Sequence, residues 1–329
     1  MPYSAQIVRR ARQRLAEQKA DRESQYQEHL HSAYRQVPRL REIDKALRAS
    51  MALAAQAVFT QGTDAQEAME QTKQAKLSLQ QERSALVQAS FPAGYLDERP
   101  ICDSCGGSGY IGSAMCSCLR SLCREEQKRE LALLTSGQEQ FDTFRLDYYP
   151  VQVDSRYGAS PRAIMERNFR LCRRYADTFV PGCGNLLFVG GTGLGKTFLS
   201  ACIANAVADK GCSVAYESAP QLLSKLEKNR FDPDEESRAQ VQLLSTCDLL
   251  IIDDLGTEMP GNFVTAALYS LINDRLLSHG CMIISTNLNI SEIAQRYSPQ
   301  IASRLQGSFK RLTFVGEDIR VLKNRGALL

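Results

Sequence analysis

Apolar positions change rhythm along this chain. Over the first hundred residues they recur every three or four positions within polar stretches. From Pro38, residues Leu40, Ile43, Leu47, Met51, Ala54 and Val58 line one face, and beyond Gln61-Gly62-Thr63-Asp64 a second run sets Ala68, Ala75, Leu79 and Leu86 on another, ending at Phe91-Pro92. That spacing predicts two amphipathic helices joined as a hairpin, with Pro38 at a first helical position. From residue 183 onward the pattern becomes short unbroken apolar runs (Leu186–Val189, Ser213–Tyr216, Leu249–Asp254, Met282–Asn287, Leu312–Val315) alternating with helical stretches such as Phe198–Lys210. Such alternation predicts a parallel sheet covered on both faces. Between the two zones lie a cysteine-rich insert and a connector. The connector carries Phe141, Phe144, Tyr148 and Tyr149, then a Pro161-initiated helix with Ile164, Phe169, Leu171 and Tyr175. The expected organisation is a helical region (1–98), a cysteine-rich module (99–125), a connector (126–182) and an α/β domain (183–329).

Composition narrows the class. The 329 residues are 43% hydrophobic and 23% charged, ordinary for a folded domain, and the formal charge of +3 is too small to coat the whole surface for nucleic acid. Arg9, Arg10, Arg12 and Arg14 form a local basic stretch that reads as the solvated face of a helix. No apolar h-region follows them, and no run approaches a membrane span, so a cytoplasmic protein is expected. In a reducing compartment eleven cysteines are not a disulfide framework. Cys172, Cys183, Cys202, Cys212, Cys247 and Cys281 sit in apolar segments, as small core residues do.

The run Gly190-Gly191-Thr192-Gly193-Leu194-Gly195-Lys196-Thr197, followed by Phe198, fits the phosphate-cradling loop G-x-x-x-x-G-K-[ST] at every fixed position. An apolar strand precedes it and a helix follows, so glycine N–H groups and a helix N-terminus converge on one point. Lys196 is expected on the β- and γ-phosphates, and the Thr197 hydroxyl on Mg²⁺. Leu249–Asp254 reads as a buried strand ending in acids. Asp253 is expected to hold Mg²⁺, and Asp254 to act as the base that polarises water. A third strand ends at Asn287, able to hydrogen-bond that water or the γ-phosphate. Arg304, in Ser303-Arg304-Leu305, is a candidate finger supplied in trans to a neighbour's nucleotide. ATP is the expected ligand.

With these motifs in hand the chain resembles AAA+ ATPases, and more narrowly the bacterial helicase loaders of the DnaC/DnaI type and the related IstB transposition ATPases. The resemblance rests on GGTGLGKT, LLIIDDLG, ISTN and SRL, and covers residues 140–329. It implies an open parallel sheet with the phosphate loop near its middle, ATP between subunits, and assembly into rings or spirals. It further implies a replicative DNA helicase and single-stranded DNA as partners, with regulation of DNA transposition as the alternative. Two departures stand out. Asp254 replaces the usual Glu, which suggests slow hydrolysis. Fewer than 20 residues follow the last predicted strand, too few for a helical lid, so Arg320 is the one candidate for the usual second sensor.

Cys102-x-x-Cys105 and Cys116-x-Cys118, with Gly106, Gly107, Gly109 and Gly112 between, offer four soft ligands on tight turns, a structural Zn²⁺ pattern. The first half also resembles the zinc knuckle of DnaJ chaperones. Cys123 is an alternative fourth ligand to Cys118. Finally, Ser218–Arg238 carries Lys225, Lys228, Arg230 and Phe231, which suit a strand of nucleic acid or, equally, an ordinary basic helix face.

Overall fold

The computed structural model describes residues 3–57, 63–134 and 139–324. By proximity these fall into two compact units, residues 1–12 with 117–329, and residues 13–116. The first helix, α1 (Ala5–Gln36), begins in one and continues in the other.

In the smaller unit α1 is followed by α2 (Pro38–Ala57) and α3 (Thr63–Ser90). Leu30, Ala33, Leu40 and Leu96 form its core, with Tyr26, Tyr34, Val37, Leu86 and Val87 packed around them. Ile43 is buried as its spacing predicts, whereas Ala75 is exposed. The apolar stripe of α3 is carried instead by Leu79, Leu86 and Val87. Asp44 ties the hairpin: one carboxylate oxygen accepts from Arg83 Nε at 2.7 Å, the other from the Tyr34 hydroxyl at 2.7 Å. Met51, Ala54 and Ala68 have undescribed side chains, and Val58 and the expected turn at 61–62 lie outside the described residues. A two-stranded hairpin, β1 (Tyr110–Ile111) and β2 (Ala114–Met115), closes this unit.

The larger unit is a doubly wound α/β fold. Five strands, β3 (Asn185–Val189), β4 (Val214–Ser218), β5 (Leu249–Leu255), β6 (Cys281–Thr286) and β7 (Phe309–Thr313), pair in the order β4-β5-β6-β3-β7, all parallel. Alternation along each strand serves both faces. Leu186, Phe188, Ile251 and Ile283 pack with α5 (Pro161–Asp177) and α6 (Lys196–Asp209), while Leu187, Leu250, Ile252, Met282 and Ile284 pack with α7 (Ala219–Phe231), α8 (Glu235–Thr246) and α9 (Asn262–Leu277). α10 (Ile290–Arg296), α11 (Pro299–Ser308) and α12 (Ile319–Asn324) complete the chain. Local chemistry sets the helix starts: Ser160 and Ser298 cap α5 and α11 ahead of a proline, and Asp234 forms a capping box with Ser237 at α8.

Some boundaries differ from the sequence reading. β4 is displaced by one to two residues from the apolar run 213–216, and β7 by two to three residues from 312–315, the latter because Phe314 leaves the sheet to pack against Gly190 of the phosphate loop. α6 starts at Lys196, two residues earlier than periodicity suggests, because Gly195 is its left-handed N-cap. β6 ends at Thr286, which leaves Asn287 in the loop that follows. Cys172, Cys202, Cys247 and Cys281 are buried as expected, but Cys183 is exposed in the glycine-flanked turn before β3.

In the larger unit α4 (Ser117–Leu134) lies along the outer edge of the sheet. Its buried Gln127 donates through Nε2 to the Cys212 carbonyl (2.9 Å) and accepts the Val214 N–H through Oε1 (3.2 Å). Arg9, Arg10 and Arg12 of α1 are exposed, whereas Arg14 is half-buried; Arg10 reaches Glu130 at 2.5 Å, both in this unit.

Candidate nucleotide site and cysteine cluster

The loop between β3 and α6 sits at the carboxyl ends of the strands, where β3 separates from β5 around the central β6, the position at which open α/β sheets place ligands. Two of its glycines are demanded by geometry. Gly193 has φ +69°, and a Cβ there would fall 1.9 Å from the Asp318 carboxylate. At Gly195, with φ +89°, a Cβ would lie 2.9 Å from the Tyr149 hydroxyl. That hydroxyl donates to the Leu194 carbonyl at 3.0 Å, and burial pushes its acidity well below that of an ordinary tyrosine. The connector therefore wedges the loop from beneath, and the C-terminal segment holds it from the side through Ile319 N–H to the Gly193 carbonyl (3.0 Å).

A cleft of about 540 Å³ opens above. Thr192, Gly193, Leu194, Gly195, Lys196, Thr197 and Phe198 form its floor, and Asp254, Thr257 and Asn287 one wall. Phe144, Arg145 and Tyr148 from the connector form a second wall, and Arg320 and Lys323 of α12 a third. Phe144 stacks with Phe169 and lies 5.7 Å from Phe198, so the aromatic wall is anchored in the core. The Lys196 ammonium donates to the carbonyls of Gly190 and Gly191, each at 2.7 Å, and to Asn287 Oδ1 at 2.5 Å. Burial pulls the affinity of Lys196 for its proton down, opposed by Asp254 and Asp253.

The two acids at the end of β5 occupy different surroundings. Asp253 is buried behind the cleft: the Tyr216 hydroxyl donates to Oδ2 at 3.0 Å and the Ser285 hydroxyl donates to Oδ1. Asp254 lines the cleft. Its carboxyl pKa is raised, first by burial and then by Asp253, against the pull of Lys196 and Arg320. Arg304 stands apart from this group. On α11 it donates to Asn273 Oδ1 (2.6 Å) and to the Tyr269 hydroxyl (2.8 Å), with its guanidinium 4.5 Å from the Tyr269 ring centre. Tyr149, Tyr216, Ser285 and Asp318 are given no site role by the sequence: the first three read there only as members of an aromatic cluster and of apolar strands, and Asp318 carries no motif.

Cys102, Cys105, Cys116 and Cys118 bring their sulfurs within 4.8 Å of one another. The Cys102 and Cys116 sulfurs are 3.7 Å apart, against about 3.8 Å expected between two corners of a tetrahedron with Zn–S bonds of about 2.3 Å. Gly109 N–H points at Cys105 Sγ at 3.3 Å, the kind of outer support thiolate ligands receive. The donor set fits a structural zinc ion with all four positions filled by protein. Cys123 is not part of the cluster; it is buried, and burial pushes its thiol pKa up to about 11. No described helix is long and apolar enough to cross a membrane.

Residues 169–317, a little under half of the chain, match the family of IstB-like ATP binding proteins. The replicative helicase loader DnaC of Escherichia coli (strain K12) is 26% identical over 135 residues, 41% of this chain and 55% of that one. The replicative helicase loader DnaI of Bacillus subtilis (strain 168) is 24% identical over 176 residues, 53% of this chain and 54% of the other. The chain thus spans about half the length of the curated relatives it matches. Among solved structures, a crystal structure of the DnaC helicase loader superposes with a TM-score of 0.46 at 21% identity, covering 54% of this chain and 97% of that chain.

Proposed function

We propose that this chain is a cytoplasmic, ATP-dependent loader of a replicative DNA helicase, built on an AAA+ ATPase that works between neighbouring subunits. The observation that carries the reading is the convergence of Lys196, Thr197, Asp254 and Asn287 on one cleft at the strand ends, walled by aromatic residues on one side and by Arg320 on another. Likeness to two helicase loaders points the same way.

In this reading the loop N–H groups and the α6 N-terminus receive the phosphates. Lys196 exchanges its carbonyl and Asn287 partners for β- and γ-phosphate oxygens. Phe144 and Tyr148 offer a face to the base, and Arg320 places a cation beside the terminal phosphate. Thr197 and Asp253 are oxygen donors of the kind Mg²⁺ takes, and that ion, when bound, neutralises phosphate charge. Asp254 takes the proton of the attacking water, its raised pKa making it a stronger base than an exposed carboxylate. Asn287 orients that water, and Arg304 of an adjacent subunit stabilises charge on the transferring group. Self-association into a ring or spiral is what such an arrangement requires. Single-stranded DNA is the remaining partner: Phe231 is 68% exposed at the end of α7, while Lys225 and Lys228 are paired with Glu217 and Asp234, which leaves Arg230 and Phe231 as the stronger contacts. The helical unit and the zinc module are assigned to grip the helicase.

The test mixes purified protein with the replicative helicase of its host, with ATP, ADP or no nucleotide, and measures mass by light scattering after size exclusion. A complex whose stoichiometry or stability depends on nucleotide supports the reading, and Lys196→Ala should abolish that dependence. A second reading, an ATPase that regulates DNA transposition, is favoured by the family match itself. A complex with DNA and a transposase, and none with helicase in any nucleotide state, would replace the first with the second.

A further inference from the structure

We propose that Ser285 is a positioning residue that aims Asp254 into the nucleotide cleft, a role that rests on the ATPase reading above. Ser285 is fully buried on β6, between the strand that carries the phosphate loop and the strand that carries the two acids. Its hydroxyl grips both acids at once. It accepts the backbone N–H of Asp254 at 2.9 Å and donates to Oδ1 of Asp253.

The backbone explains why that grip matters. Along a regular strand successive side chains alternate between faces. Ile251 packs on the α6 face and Ile252 on the opposite face, so regular continuation sends Asp253 toward α6 and Asp254 away from the cleft. Instead the β5–β6 register shifts between Ile252 and Leu255, and Asp254 takes φ +54°, left-handed for a residue with a side chain. That kink brings Asp254 to the cleft wall beside Lys196 and Asn287. A left-handed Asp persists where its surroundings hold it. Here the bonds that hold it are Ser285 on its N–H and Thr257, whose N–H and hydroxyl return to its carbonyl. The Thr257 contacts are made within the turn that follows. Ser285 reaches Asp254 from the neighbouring strand, where the Thr286 hydroxyl holds only the following residue through the Leu255 carbonyl, and it fixes the kink to the carboxylate of Asp253, whose second oxygen the Tyr216 hydroxyl occupies. Removing the hydroxyl should let the strand relax toward regular alternation and swing the base away from the water it must deprotonate, while the phosphate loop stays intact.

The experiment uses the full chain with Ser285→Ala and with Ser285→Cys, which keeps the side-chain volume but is a poor hydrogen-bonding partner. Steady-state ATP hydrolysis and the Kd for a non-hydrolysable ATP analogue are measured for both, beside wild type and Asp254→Asn. The expected result is a fall in kcat of tenfold or more in both Ser285 variants, with KM and Kd within threefold of wild type. Should Ser285→Ala fail to fold, Ser285→Cys is judged by the same criteria. Wild-type kcat in a folded Ser285 variant overturns the proposal, as does a loss matched by an equal rise in KM and Kd, which marks general disturbance of the site. If Asp254→Asn abolishes turnover and the Ser285 variants do not, the ATPase reading stands and the positioning role falls. A wild-type protein that binds ATP but shows no turnover, with or without single-stranded DNA, overturns both.

Discussion

Arg275→Met should lower stability by about 3 kcal/mol without touching nucleotide affinity. Arg275 is fully buried on α9, and among the described residues it makes no ion pair. Its guanidinium donates to the carbonyls of Leu244 (2.9 Å), Cys247 (3.0 Å) and Cys281 (2.7 Å), so one planar fork gathers the end of α8 and the starts of β5 and β6. Truncation leaves three carbonyls without their donor, at about 1–3 kcal/mol each for a buried polar group. Against this, removing a desolvated cation returns several kcal/mol. Taking about 2 kcal/mol for each carbonyl and about 3 kcal/mol returned leaves a net loss of about 3 kcal/mol. With a urea m-value of roughly 2–3 kcal/mol/M for a unit of this size, the midpoint should fall by about 1–1.5 M. The cluster lies at the strand starts, and six residues of β6 span about 20 Å to the opposite end where the cleft opens. ATP affinity should therefore stay within twofold. A midpoint shift under about 0.3 M, or a gain in stability, would refute the argument by showing that the carbonyls find other partners or that the buried charge costs more than it returns.

Other outcomes follow from the site. Lys196→Ala should weaken ATP binding at least a hundredfold by fluorescence titration, whereas Arg304→Ala should leave binding within threefold and reduce hydrolysis by about a hundredfold or more. Mixing Arg304→Ala with Lys196→Ala should restore part of the hydrolysis if the arginine acts across a subunit boundary. Asp254→Asn should raise the thermal midpoint at neutral pH: a carboxyl whose folded pKa is raised disfavours the folded state above that pKa, so the gain should fade as pH falls toward 4. Because Asp254 is half-exposed, the gain is on the order of 0.5 kcal/mol. Mercurial titration with a zinc-sensitive dye should release one Zn²⁺ per chain, and Cys105→Ser should bring that content close to zero with ATP affinity within threefold.

The large elements were legible because their signals are local. A glycine loop between an apolar strand and a helix, and a strand ending in Asp253-Asp254, mark the candidate phosphate site within a few residues, and the fold sets both at the same strand ends. Asn287 was likewise found from its position after an apolar run. Ser285 was not, since a serine inside Met282–Thr286 looks like any small residue, and its two partners lie 31 and 32 residues away across the sheet. Arg275 escaped for the opposite reason: an arginine in the last turn of a helix reads as a surface charge, and only the meeting of three carbonyls makes it internal. Cys123 competed with Cys118 on spacing alone. The start of α4 at Ser117 separates them, bringing Cys118 back toward the glycine turn and sending Cys123 a turn further into apolar packing.

A parallel sheet whose outer strand keeps its outward N–H and C=O groups bare invites another strand to extend it. On β4 one amide side chain removes that invitation. Gln127 supplies an acceptor to Val214 and a donor to Cys212, in the way a sixth strand would, yet it projects from a helix that cannot propagate the ladder. The start of the β4 edge is therefore closed to a further strand. Copies that met at this part of the edge would be held there by side chains rather than by backbone. A seam of that kind can open again, as backbone fusion of two sheets would not readily allow.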